Sequence, residues 1–320
     1  MCSLRALTLL LFTLAPALSA HAQTYPARPL RLITGFLPGG VSDTVARVTG
    51  EKLGERLGQR VIIDGRPGAG GVVSMEIAAA ATPDGYTLYL GQPVITLSPN
   101  FRKRPGFDPI KAFAPVSLIA TGPTLLAVHP SLPVSSVKEL IAYAKTQPGG
   151  LRFGSSGAGT TNHLSGELLR VMANMPLTHI PYRGAAVNVV AAIQGEIHIS
   201  FLPLLAAIPH VKSGRLKALG VTGARRSPSV PDVPTVGESL PGYEVSAWYG
   251  IVVPTATPQP IITRLNAELI KTLEQHDVRE RLTAQGVDVQ SSTTEELATL
   301  IRTDAQRWAK LVKAAKLVLE

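Results

Sequence analysis

Apolar runs of four to seven residues alternate with helix-period segments almost throughout the chain. Leu30 to Phe36, Val61 to Asp64 and Tyr86 to Leu90 read as strands, as do the segments ending at Phe153, Leu177 to Ile180, Ile197 to Phe201, Leu216 to Val221 and Trp248 to Val253. Between them the spacing predicts helices over Val72 to Ala81, Ser135 to Lys145, Thr161 to Met172, Ala185 to Gln194 and Pro258 to Glu274. A last helix spans Thr293 to Leu319, with Leu297, Leu300, Ile301, Trp308, Leu311 and Val312 on one stripe. This alternation predicts an α/β fold with layered helices and parallel sheets. Phe113 to His129 is longer than the other runs and is interrupted by Gly122-Pro123, so it is expected to cross between two bodies. Ser227 to Gly242, rich in Pro, Ser and Asp, reads as a surface link. The chain shows no tandem repeat and no low-complexity run.

Two segments share one design. Leu30 to Thr44 places a strand before Pro38-Gly39-Gly40, with Ser42 and Asp43 as N-cap candidates for the helix that follows. Leu151 to His163 repeats the plan with Gly154-Ser-Ser-Gly-Ala-Gly-Thr-Thr-Asn162. A glycine loop opening a helix gathers free N–H groups at the positive end of the helix dipole, which suits an anion. One such loop in each half predicts a ligand held between two lobes.

Met1 to Ala22 has an early cation at Arg5, an apolar core from Leu7 to Leu14 and the small-residue site Ala20-His21-Ala22. It reads as a secretory signal peptide. Cleavage there would leave roughly 298 residues (320 minus 22), enough for two lobes, and would remove Cys2, the one cysteine. Disulfide and thiolate chemistry are then excluded, and no later run approaches the roughly 18 residues of a membrane span. The net charge of +9, from 31 Lys and Arg against 22 Asp and Glu, favours solubility and anionic partners. The cations are scattered, with one tight cluster at Arg102-Lys103-Arg104, and aromatics are few, which argues against nucleic acid.

Enzyme signatures are incomplete. Gly157-x-Gly-x-x-Asn162 lacks the third glycine of a dinucleotide loop. Gly154-x-Ser156-x-Ala158 lacks the last glycine of a nucleophile elbow. No phosphate-loop Gly-Lys-Ser/Thr occurs, and the seven histidines show no metal-binding spacing. No catalytic residue, metal site or cofactor is expected. An exported α/β hydrolase or transferase is the alternative, to be tested by turnover of esters or amides.

The ordered set of motifs resembles the solute-binding receptors of tripartite tricarboxylate transporters, the Bug family. The resemblance rests on Tyr25-Pro-x-Arg-Pro, Phe36-x-Pro-Gly-Gly-x-Ser-Asp43, Arg66-Pro-Gly-Ala-Gly-Gly and Pro83-Asp-Gly-Tyr. It continues through Gly157-x-Gly-Thr-x-x-His163, Pro181-Tyr-Arg-Gly-Ala, Gly195-x-Ile-x-x-x-Phe201, Arg226-Ser-Pro-x-x-Pro-Asp-Val-Pro-Thr235 and Trp248-Tyr-Gly. It covers the whole chain after the signal. It implies a monomeric periplasmic receptor of the type II, Venus-flytrap architecture that presents a small carboxylate to membrane permease subunits. A sensory co-receptor is the variant within the same class. The expected lobes are residues 24–124 with 224–320, and residues 125–223.

The resemblance implies that one carboxylate meets backbone N–H groups and water near Phe36 and Ser42. Phe36 is either core or a wall of the cleft. Gly40 supplies backbone access. Ser42 and Asp43 are helix caps first and ligand contacts second. The uncharged second loop would bind through N–H groups and the hydroxyls of Ser155, Ser156, Thr160 and Thr161, with Gly157 and Gly159 giving backbone access. Neutral, preorganised donors suit an anion because their burial costs less than that of a cation. His163 is a structural imidazole bonded to a loop carbonyl, or a ligand contact. Arg183 is the cation best placed for a carboxylate. Gln92 and Pro203 end strands and are candidates to line the cleft.

Overall fold

A computed structural model describes residues 25–35, 40–100, 106–157, 159–182 and 184–317. The proposed signal peptide, Phe36 and Arg183 lie outside the described residues.

The strands are β1 (Leu30–Thr34), β2 (Val61–Gly65), β3 (Thr87–Gly91), β4 (Phe113–Val128), β5 (Leu151–Ser155), β6 (Leu177–Pro181), β7 (Ile199–Pro203), β8 (Lys217–Val221), β9 (Ser246–Pro254) and β10 (Asp288–Val289). The helices are α1 (Val41–Leu57), α2 (Val72–Ala79), α3 (Val94–Leu97), α4 (Val137–Thr146), α5 (Thr161–Met172) and α6 (Ala185–Gln194). They continue with α7 (Leu204–Lys212), α8 (Val236–Ser239), α9 (Gln259–Leu273), α10 (His276–Thr283) and α11 (Thr294–Ala315).

The strands form a path β2-β1-β3-β9-β4-β7-β5-β6, with β8 and β10 also paired to β4. The expectation of parallel sheets holds only within each end of this path. β1 pairs parallel with β2 and β3, and β5 pairs parallel with β6 and β7. β9 is antiparallel to β3, and β4 is antiparallel to β9, β7, β8 and β10. The sheet is therefore mixed, because single long strands carry the chain from one half to the other.

β4 does this without a break, contrary to the expected interruption at Gly122-Pro123. From Phe113 to Pro123 it pairs with β9, ending at Pro123 opposite Ser246. From Thr124 to Val128 it pairs with β7, starting at Thr124 opposite Pro203. Proline is tolerated where the ladder changes partners, since it cannot donate there.

Strand direction then fixes where the carboxyl ends meet. β1 and β3 run with β4, toward the change of partner. β5, β6 and β7 run against β4, and so point back toward it. The carboxyl ends of both parallel sets thus converge on the Pro123–Thr124 junction. Open α/β sheets bind ligands beyond the carboxyl ends of their strands.

The apolar runs are continuous because the strands are buried on both faces. In β1, Leu30 and Leu32 join a cluster with Val45, Leu53 and Leu265. Ile33 points the other way, to Met75, Tyr89 and Trp248. In β4, Leu126 and Val128 meet Phe153, Leu164 and Phe201. Leu125 and Ala127 face Val189, Ala192 and Leu202. Phe153 and Phe201 have no exposed surface and cross edge to face at 6.4 Å between centroids. Truncating a buried phenylalanine of this kind to alanine costs about 3–5 kcal/mol.

α11 starts from a capping box, in which the Thr293 hydroxyl accepts from Glu296 N–H and the Glu296 carboxylate accepts from Thr293 N–H. Its apolar stripe does not serve one body. Leu297 and Ile301 pack with Ile33 and Trp248, whereas Trp308 and Leu311 pack with Phe153 and Leu164. Between them, the half-buried Asp304 accepts from Thr96 Oγ1 at 2.6 Å and from Trp248 Nε1 at 3.1 Å. The short helices α3, α8 and α10, and α7 with its internal Pro209, had no distinct sequence signal.

Candidate functional site

Ser42 and Asp43 are not N-caps. The cap of α1 is Gly40, at φ −88° and ψ 172°, and its carbonyl accepts the first helical bond from Thr44 N–H at 3.0 Å. Glycine fits this position without offering a side-chain acceptor. Ser42 and Asp43 fall in the first helical turn instead. The Asp43 carboxylate accepts from Arg47 Nε, with both oxygens at 3.0 Å, across one turn. An acid here also complements the helix dipole.

Ser42 points inward. Its hydroxyl donates to Gln92 Oε1 at 3.1 Å, and both residues are buried. Gln92 follows β3 directly, so the end of that strand and the start of α1 meet through this bond. The buried Tyr249 phenol lies beside them. Burial pushes its pKa up to about 12, and the Ser42 hydroxyl pulls the other way. The Trp248-Tyr-Gly motif marks Tyr249 in the sequence but does not say what it meets; its register in β9 sets it beside Ser42.

The second loop is built from glycines in conformations closed to other residues. Gly157 has φ +133° and Gly159 has φ +75°. The Ser155 hydroxyl spans the turn. It accepts from Gly157 N–H at 3.1 Å, lies 3.0 Å from Gly157 O and is 2.7 Å from His179 Nε2. Thr160 caps α5: its Oγ1 donates to Gly157 O at 2.7 Å and accepts from His163 N–H at 3.4 Å. The expectation that the Ser155 and Thr160 hydroxyls face a ligand therefore needs changing, because both are committed to the turn. So is the Gly159 N–H, which donates to His163 Nδ1 at 3.0 Å. His163 accepts from a loop N–H, where the sequence suggested a bond to a loop carbonyl.

Open donors remain on the same turn. Ser156 and Thr161 are half-buried, and neither their N–H groups nor their hydroxyls have a partner among the described residues. Thr161 is the first residue of α5, where a helix leaves its N–H groups unsatisfied.

Beneath the turn lies a stack that sequence reading missed. The rings of His163 and His179 are 4.0 Å apart and 21° from parallel, and Phe153 stacks on His179 at 4.9 Å. Burial pushes the His163 pKa down to about 3, and the neighbouring His179 and Arg170 add to this. Burial lowers His179 to about 4. Both rings are neutral at ordinary pH. His163 Nε2 is 3.8 Å from Glu167, which accepts from Arg170 Nε at 2.7 Å.

Pro203 ends β7 at the junction, opposite Thr124, and is half-buried at the N-cap of α7. Gly184 opens α6, and its N–H donates to Ser156 O at 3.3 Å, so the β6–α6 loop sits against the glycine turn. No cluster of His, Cys, Asp and Glu suited to a metal occurs among the described residues.

Solved structures share this fold. "R. palustris Rpa4515 with adipate" is 34% identical, covers 92% of this chain and 99% of its own, and superposes with a TM-score of 0.80. "MatC (Rpa3494) from Rhodopseudomonas palustris with bound malate" is 33% identical, with coverages of 90% and 100% and a TM-score of 0.75. The "periplasmic binding protein BugD" is 30% identical, with coverages of 92% and 100% and a TM-score of 0.77. The model of the "Tripartite tricarboxylate transporter family receptor" matches residues 45–317. The fold, the convergence of strand ends and this match agree, and the chain belongs to the tripartite tricarboxylate transporter receptor family.

Proposed function

We propose that the protein is a periplasmic receptor that holds a small carboxylate between two lobes and delivers it to a membrane permease. The observation that supports this reading is the convergence of the carboxyl ends of β1, β3, β5 and β7 on the strand junction, with α1 the helix that follows β1 and α5 the helix that follows β5. Each offers uncharged donors to an anion. The solved relatives with adipate and malate make a carboxylate the ligand class to test first.

The lobes in this reading are residues 24–124 with 224–320, and residues 125–223, with α11 leaning on both. Open, the protein takes the ligand on the Gly40–Ser42–Gln92 side. Closing brings up Ser156 and Thr161, excludes water and strengthens every hydrogen bond in the site. Contacts made only in the closed form supply the bias toward it. The chain acts as a receptor, with no turnover.

Thermal-shift screening of the exported protein against aliphatic, hydroxylated and aromatic carboxylates tests this, followed by calorimetry on the hits. A saturable rise in Tm with one class is expected. No shift with any carboxylate, or hydrolysis of an ester or amide, overturns the reading.

A further inference from the structure

We infer that His163 and His179 are positioning residues for the ligand turn, acting as a neutral stacked latch that a gained proton opens. The inference rests on the reading above that this turn receives the ligand.

The geometry gives His163 a task that its neutral form alone performs, and sets His179 beside it as a donor to the Ser155 hydroxyl, whose own proton goes to Gly157 O. His163 Nδ1 accepts the Gly159 N–H at 3.0 Å, so this nitrogen must carry a lone pair. A proton there would set two donors against each other. His179 Nε2 meets the Ser155 hydroxyl at 2.7 Å, and that hydroxyl holds both Gly157 N–H and Gly157 O. With the rings 4.0 Å apart and Phe153 closing the stack, charge on either ring would also be close to the other. The groups facing the pair are Ser155 and Phe153 from β5 and Glu167 and Arg170 from α5. Glu167 is already bonded to Arg170, so it is not an idle counter-ion.

The consequence is a linkage. In the opened turn the rings meet water and take protons near the ordinary histidine value of about 6.5. In the closed turn they stay neutral. Each ring therefore favours opening by up to about tenfold per pH unit below 6.5. Ligand would be held firmly in neutral surroundings and released in acid ones.

Hydrogen exchange on the ligand-free, full exported protein tests this without interference from a ligand's own carboxyl titration. Protection of residues 154–163, corrected for intrinsic exchange, should fall at least tenfold between pH 7 and pH 5. The double variant His163→Asn, His179→Gln keeps an acceptor at the first place and a donor at the second but gains no proton, and its protection should stay level. Unchanged wild-type protection, or an equal fall in the variant, overturns the inference. If the variant does not fold, imidazole NMR on the wild type decides. Both rings should titrate together with the Gly157 and Gly159 amides, and independent titration near 6.5 refutes the latch. Adipate calorimetry at pH 7.5 separates the two ideas: wild-type protein that binds no carboxylate counts against the proposed function and leaves the exchange result standing.

Discussion

Thr124 and Thr222 tie the two crossing segments together three times at the junction. Thr124 N–H donates to Thr222 Oγ1 at 2.8 Å, Thr222 N–H donates to Thr124 O at 2.9 Å, and the two hydroxyls are 3.1 Å apart. Both residues are buried. The chain leaves one half of the sheet at the first threonine and turns back toward it after the second.

Thr222→Val should therefore destabilise more than Thr124→Val. Removing the Thr222 hydroxyl strands a buried N–H, worth about 1–3 kcal/mol, whereas losing the Thr124 hydroxyl leaves every backbone group paired. Urea denaturation of the two variants measures the difference. Equal midpoints would show that the hydroxyl bond to Thr124 N–H adds nothing.

The two neighbouring threonines of the glycine turn should separate stability from binding. Thr160→Val removes the N-cap of α5 and should cost about 1 kcal/mol of stability. Thr161→Val removes an open hydroxyl and should weaken a carboxylate by about 1–2 kcal/mol with little change in stability. Calorimetry and denaturation on both variants check this. The reverse pattern would mean that the turn rearranges around the ligand.

Gly159→Val puts a β-branched side chain at φ +75°. It should cost about 1–3 kcal/mol and reduce ligand affinity at once. A variant that melts and binds like the parent would show that the turn is not needed in this form.

Acid should destabilise the protein earlier than its carboxylates predict. His163 and His179 titrate at about 3 and about 4 in the folded chain, below the unfolded value of about 6.5. The unfolded state then binds more protons throughout this interval. Stability is complete above about pH 6.5 and falls as pH drops toward 4. The slope for His163 approaches one proton, about 1.4 kcal/mol per pH unit. Tm measured from pH 7.5 to 4.5 should decline across the window, and the decline should flatten in His163→Asn.

Much of the architecture was legible because strands buried on both faces leave continuous apolar runs, and the 3.6 period of α5, α9 and α11 marks their inner faces. The glycine turn was legible for the same local reason: positive φ at Gly157 and Gly159 demands glycine. Legibility failed where partners came from far along the chain. Nothing near Ser42 announces Gln92 or Tyr249, and nothing near Ser155 announces His179, 24 residues on. Asp43 resembled a cap because acids favour helix starts, yet Gly40 took that position. Gly122-Pro123 looked like a break because a change of sheet partner and a strand end share one signature.

α11 sets the kind of movement this molecule can make. Two blocks joined by strands alone could gape like a clamshell. Here a rod with one end among Leu297 and Ile301 and the other among Trp308 and Leu311 is anchored in both blocks. Its anchor points are about 21 Å apart at 1.5 Å per residue, and a helix resists stretching. In the proposed two-lobe reading the rod holds this separation, which favours rotation about it over a simple gape, with Asp304 between the two anchor points. Such a torsion arm turns a small rotation beside the ligand into a larger displacement at surfaces far from the rod.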